Sequence, residues 1–355
     1  MRCRAWRSRR RPTDHRSAGG RWTGSGVGRH AAPVRFVVVG AGAIGGVVGG
    51  RLFEHGHDVV LVARGAHYEA LRRSGLQLDG PDTSVTLDIR TIRDPAEIEF
   101  AEDDVIALAV KSHDTAAIVE TLALSAPPTI PVFCFQNGVD NEPAVLRSFR
   151  NVYGVYVMCP ALHLQPGVVY ASSAPVTGVL DVGRYPAGVD DLAESVAAAL
   201  CRSTFSSEAT GDITRWKYSK LLGNLANAVE VVCGLSAVRG PITRRAREEG
   251  VACLEAAGIA FASPEEEAKR RGGVINPRAF GSERTTGGSS WQSVARAAGT
   301  VESDHLNGEI VLLGRLHGVA TPVNEALQRQ ANRIAHDRLP PGTMTEEEFL
   351  QSVDD

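Results

Sequence analysis

The stretch Val37-Val38-Val39-Gly40-Ala41-Gly42-Ala43-Ile44-Gly45 constrains this chain more than any other, because its context predicts a strand, a glycine turn and the start of a helix. Residues 34–39 are largely apolar and mostly β-branched. Residues 44–53 carry apolar side chains at helical intervals, and residues 58–62 supply a second apolar strand about one βαβ length further on. Gly40 permits a tight turn, Gly42 lets the backbone approach a pyrophosphate, and Gly45 lets helix pack on strand. The N–H groups of the helix start then face an anion. Gly40, Ala41, Gly42, Ala43, Ile44 and Gly45 are therefore the expected cofactor-binding turn.

At 355 residues the chain is long for one core, so two domains are expected. A formal net charge of -3 gives no case for nucleic-acid or membrane-surface binding, and no apolar run reaches membrane-spanning length. The six cysteines form no Cys-x-x-Cys pair and no His stands at metal spacing, so no metal site is expected. Scattered thiols of this kind suit a reducing, cytoplasmic setting. Residues 1–33 hold nine arginines with Asp14 as the sole acid and no apolar periodicity, which predicts a disordered Arg-rich tail. A start assigned upstream of the true one, near Val34, is preferred to an organelle-targeting role.

From residue 34 the pattern alternates strand and helix. Strands are expected at 34–39, 58–62, 105–110 and 131–135, with an extended segment at 84–89 and further strands in 151–182 continuing the sheet. Beyond residue 190 helical patterns take over, at 190–205, 212–232, 243–257, 264–270, 290–298, 301–317 and 323–334. The expected fold is α/β, an N-terminal Rossmann-type doubly wound sheet over residues 34–208 followed by an all-helical C-terminal domain over 209–338. Residues 272–288 are expected as a loop and 339–355 as an exposed tail. The helix end carrying Gly314 and residues 317–320 is open to packing on its own domain or on a second copy, as in a homodimer.

Ligands of open parallel sheets sit beyond the carboxyl ends of strands, where Arg64, Lys111 and Asn137 fall. An NAD site usually places a carboxylate at the end of the second strand. Here that place holds Arg64, whose fork of N–H donors suits a 2′-phosphate, so NADP(H) is the expected cofactor. Lysine is scarce, with only Lys111, Lys217, Lys220 and Lys269 present. Along the helix at 212–232, Asn224 lies about 40° from Lys220 and Asn227 about 20° to the other side. One face thus presents an ammonium and two amides.

At these residues the chain resembles the ketopantoate reductase (2-dehydropantoate 2-reductase) family, over about residues 35–330. The resemblance runs through the glycine turn, Val110-Lys111, Gln136-Asn137-Gly138, Lys220-Leu221-x-x-Asn224, Ser289-Ser290, Glu302-x-Asp304 and Asn307-Gly308. It implies reduction of the 2-oxo acid ketopantoate to pantoate, a step of pantothenate biosynthesis, with NADPH as reductant. It further implies Lys220 as catalytic acid, Glu302 and Ser290 at the substrate site, and Lys111, Asn137 and Asn224 lining the cleft, with Asn227 beside them. Glu302 would hold the Lys220 ammonium or accept from a substrate hydroxyl. An ammonium suits this chemistry because it stabilises charge growing on a carbonyl oxygen and then releases a proton, which arginine holds too tightly.

Three positions depart from the family pattern, all on the substrate side. Ala228 stands where a second asparagine is frequent, Tyr218 where a tryptophan is, and Ser293 where an acid is. Reduction of another 2-oxo acid, or NADP(H) sensing without turnover, remain as alternatives.

Overall fold

A computed structural model describes residues 34–278 and 287–354. The expected Arg-rich tail, residues 1–33, lies outside the described residues, as does part of the expected loop at 272–288.

The chain begins with β1 (Arg35–Val39), α1 (Ala43–Glu54), β2 (Asp58–Val62) and α2 (Gly65–Ser74). Next come β3 (Leu76–Asp79), β4 (Ser84–Leu87), β5 (Arg90–Ile92), β6 (Asp104–Leu108), α3 (Thr115–Ser125), β7 (Pro131–Cys134) and α4 (Asn141–Leu146). They are followed by β8 (Asn151–Met158), β9 (Ala161–Leu162), β10 (Val168–Ala171), β11 (Gly178–Arg184), α5 (Asp191–Arg202) and β12 (Phe205–Ser206). The main sheet has the order β12-β11-β8-β7-β6-β1-β2-β5, parallel except for the antiparallel pair β8 and β11. Its inner strands read as unbroken apolar runs, as Val37-Val38-Val39 does, because both faces are covered.

The extra strands do not all continue that sheet, contrary to the expectation from their pattern. β4, β3, β10 and β9 form a separate four-stranded sheet that packs on α1. Leu76, Leu78, Val169 and Ala171 share one core with Val47, Val48 and Leu52 of α1. The cause is that α1 is apolar on both sides, with Gly45 to Leu52 buried, and needs two layers to cover it.

Beyond β12 the described residues carry helices and isolated bridges: α6 (Ile213–Asn224), α7 (Ala226–Val232), α8 (Pro241–Ala256), α9 (Pro264–Arg271), α10 (Ser289–Ala295), α11 (Asn307–His317), α12 (Pro322–His336) and α13 (Glu346–Asp354). The Ser263 and Glu266 capping box, with Pro264 in the first turn, sets the start of α9. Two expected helices are broken. The run 212–232 is interrupted at Leu225, where the buried Asn307 side chain donates to the Leu225 carbonyl at 3.4 Å. The run 301–317 opens as a short 3-10 turn, Ser303–His305, before α11 begins.

Within the expected exposed tail, 339–355, the described residues 339–354 are packed against the helical part. The Gly342 and Met344 N–H groups donate to the Val231 and Val232 carbonyls, and α13 seats Phe349, fully buried, in the helical core. Phe349, Leu350 and Val353 share one side of α13, and the core of the helical part covers them.

Candidate active site

A cleft of about 960 Å³ runs between the carboxyl edge of the main sheet and the helical part. Its sheet wall starts where β1 and β6 lie side by side, the switch point of the strand order. Gly40 has φ +100°, and a Cβ there would lie 2.8 Å from the Val110 nitrogen. A Cβ at Gly45 would lie 2.0 Å from the Gly40 carbonyl oxygen, so only glycine lets α1 start this close to β1. The space above Gly42 is open, and as N-cap it brings no side chain to the first-turn N–H groups of α1. Those donors lack intrahelical partners and lie at the positive end of the helix dipole. The turn fits a dinucleotide pyrophosphate.

His67 of α2 braces the turn, a role no local signal announces. Its Nε2 donates to the Ala41 carbonyl at 2.8 Å while its Nδ1 accepts from the Gly167 N–H at 2.9 Å. Burial, with His163 adding to it, lowers its pKa to about 4. A neutral ring satisfies both bonds.

Arg64 caps α2 at the end of β2 and lines the same cleft, as does Arg93 at the end of β5. Arg64 pairs with Asp114 at 2.9 Å, and Arg93 pairs with Glu69 at 2.5 Å and lies 4.6 Å from the Tyr68 ring centroid. Neither Asp114 nor Arg93 stands out in the sequence.

The helical wall brings Lys220, Asn224 and Asn227 to the cleft together, as their spacing on one face requires. Lys220 is enclosed by protein except toward the cleft, and among the described residues nothing bonds its ammonium. Burial lowers its pKa, Arg271 adds to the effect and Glu267 opposes it, leaving it at about 8. The Asn224 Nδ2 and, across the cleft, the Asn137 Oδ1 are buried without a hydrogen-bond partner among the described residues. Groups left unpaired in this way are costly in a folded protein unless a ligand completes them.

Lys217, one turn earlier, is a different case. Its ammonium pairs with the fully buried Glu142 at 2.5 Å and donates to the Gln136 carbonyl at 2.9 Å. Burial pushes the Glu142 carboxyl above its ordinary value against the pull of Lys217. Lys217 therefore ties α6 to the sheet.

Glu302 closes the far side. The ammonium that it holds is that of Lys111, at 2.6 Å, and not that of Lys220. It also accepts from the Ser112 N–H at 3.1 Å and the Ser112 hydroxyl at 3.2 Å. Burial raises its pKa, but Lys111 and Ser112 outweigh burial and hold it below the ordinary value, so it is ionised. Asn141 extends this network, donating to the Ser112 hydroxyl and to the Asn137 carbonyl. The loops after β6 and β7 are thereby locked to one another and to Glu302.

Ser290, expected at the substrate site, does not line the cleft. It is buried in the first turn of α10 with its hydroxyl unpaired among the described residues, while Ser289, Gln292, Gly287 and Gly288 form the lining there. Ser289 lines the cleft as a residue, although its hydroxyl, like that of Ser290, is buried without a partner among the described residues. Ser293 donates to the Ser289 carbonyl. No helix among the described residues is long and apolar enough to cross a membrane.

The family described as Ketopantoate reductase PanE/ApbA matches residues 36–186, and its C-terminal counterpart, Ketopantoate reductase PanE/ApbA C terminal, matches residues 212–335. The chain belongs to the ketopantoate reductase family. Members of this family are NAD(P)-dependent oxidoreductases. The 2-dehydropantoate 2-reductase of Archaeoglobus fulgidus is 30% identical over 303 residues, 82% of this chain and 95% of that protein. The protein of the same name from Pyrococcus horikoshii is 32% identical over 193 residues, which are 54% of this chain and 62% of that relative's length. Among solved structures, a PanE/ApbA family ketopantoate reductase from Ralstonia eutropha JMP134 aligns with a TM-score of 0.72 at 25% identity, covering 85% of this chain and 99% of that one. D-mandelate dehydrogenase, solved with NADH and anilino(oxo)acetate, aligns with a TM-score of 0.73 at 21% identity over 86% of this chain and 99% of that one, a likeness of fold.

Proposed function

We propose that this ketopantoate reductase family member reduces 2-dehydropantoate to pantoate in the cytoplasm with NADPH, and that Lys220 is the general acid. The carrying observation is the Lys220 ammonium, unpaired among the described residues, facing the cleft with a pKa near 8. Bound between the glycine turn and Arg64, the nicotinamide cofactor would supply the hydride. Lys220 would hold the carbonyl oxygen of the 2-oxo acid, stabilise the charge growing there and pass its proton to it. Asn224 Nδ2 supplies a further donor to the substrate, and Asn137 Oδ1 an acceptor for the cofactor or substrate. Glu302, kept ionised by Lys111 and Ser112, offers its remaining acceptor capacity to a substrate hydroxyl.

A different 2-oxo acid is the second reading, favoured by the lining at α10. There Ser289 and Gln292 occupy the place expected of Ser290, and the sequence departs from the family pattern at Ser293. Following NADPH absorbance with 2-dehydropantoate and a panel of other 2-oxo acids tests both. Highest kcat/KM on 2-dehydropantoate supports the first reading, highest kcat/KM on another acid the second. NADPH binding without turnover of any acid would contradict both.

A further inference from the structure

The charge pattern around Arg64 bears on cofactor choice, an inference that rests on the NADPH reading of this site. The end of β2 carries no carboxylate for a ribose hydroxyl, yet the fold delivers one from another element. Asp114 closes the 3-10 turn Ser112–Asp114 after β6 and is the N-cap of α3. An N-cap aspartate ordinarily accepts from the helix it precedes. Asp114 makes no such bond, and its Oδ2 lies instead 2.9 Å from Arg64 Nη2.

Both side chains line the cleft, with Arg64 67% and Asp114 35% exposed, so the pair is solvated and readily exchanged. The other charged groups at this end match one another. Arg93 is paired with Glu69, Lys111 is held by Glu302, and His67 is neutral. Among the described residues, Arg64 and Arg93, which end the two strands at this edge, thus each already face a carboxylate. A 2′-phosphate must displace Asp114 from Arg64 and then lie beside its charge, whereas a ribose 2′-hydroxyl can donate to that same carboxylate.

We propose that Asp114 is a specificity-determining residue of the cofactor site. It restrains Arg64 from the 2′-phosphate and gives the 2′-hydroxyl an acceptor, so the site takes NADH as well as NADPH, with a shallow preference for NADPH.

Equilibrium binding of 2′,5′-ADP and 5′-AMP to the wild-type protein, Asp114→Asn and Arg64→Ala tests this without any substrate. Asp114 makes no capping bond to α3 and is partly exposed, so the near-isosteric asparagine retains the fold. Asp114→Asn is expected to tighten 2′,5′-ADP about fivefold, the size of one solvated charge contact, and to leave 5′-AMP unchanged or weaker. The NADPH to NADH ratio of kcat/KM should rise in step. If Asp114→Asn leaves the ratio of the two affinities unchanged while Arg64→Ala weakens 2′,5′-ADP, Asp114 is a bystander and the inference fails alone. If neither variant alters that ratio, the role of Arg64 in the NADPH reading fails and the inference fails with it.

Discussion

The two walls of the cleft are built from different material. At the glycine turn of the sheet wall the groups that face a ligand are backbone, held by strand ends and by glycines that exclude a Cβ, as at Gly45. On the helical side they are side chains, Lys220, Asn224 and Asn227, whose state depends on residues distant in sequence. Backbone sites need only the right turn. Side-chain sites need the right neighbours, and Lys217 and Lys220 show how much that matters. They stand three residues apart on α6, yet one is an internal tie to Glu142 and the other faces the cleft without a partner among the described residues.

That contrast can be broken at three points. Lys217→Met leaves Glu142 buried and unpaired, and should lower stability to denaturant by about 3–5 kcal/mol. A variant as stable as the parent would remove the distinction between the two lysines. Gly45→Ala forces a Cβ against the Gly40 carbonyl, an overpacking that costs typically about 1–3 kcal/mol. NADPH affinity, measured by fluorescence titration, should fall roughly 10- to 100-fold, because the helix start must shift away from β1. Unchanged affinity would mean that the turn is not held by backbone packing. The smallest effect is expected from Arg271→Gln. Removing that cation should raise the Lys220 pKa and move the alkaline fall of kcat upward by about half a pH unit, with KM little changed. A limb that stays in place would show that Arg271 serves packing alone, through its contacts with Tyr156 and Glu267.

The same division governs how much is legible in residue order. The strands 34–39 and 58–62, the glycine turn and the Lys220-Asn224-Asn227 face follow from periodicity, and each is found where its spacing places it. The hidden part depends on long-range contacts. The second sheet exists because α1 is apolar on both sides, the break at Leu225 because Asn307 reaches its carbonyl, and the packed end of the chain because Phe349 finds the helical core. Residue order leaves Glu302 either to the Lys220 ammonium or to a substrate hydroxyl, whereas the fold gives it to Lys111, 191 residues away. Residue order points to Ser290, whereas the residue of α10's first turn that lines the cleft is its neighbour Ser289.

The central claim is that Lys220 delivers the proton, and the pH dependence of kcat for the parent and for Lys220→Ala tests it most directly. A group whose pKa is lowered to about 8 is protonated below that pH and loses its proton above it, so the parent's reduction rate should hold at lower pH and fall through about pH 8. Lys220→Ala should lose roughly two to four orders of magnitude in kcat and lose the alkaline limb with it. A variant within a few-fold of the parent, or one that keeps the same limb, would contradict the account.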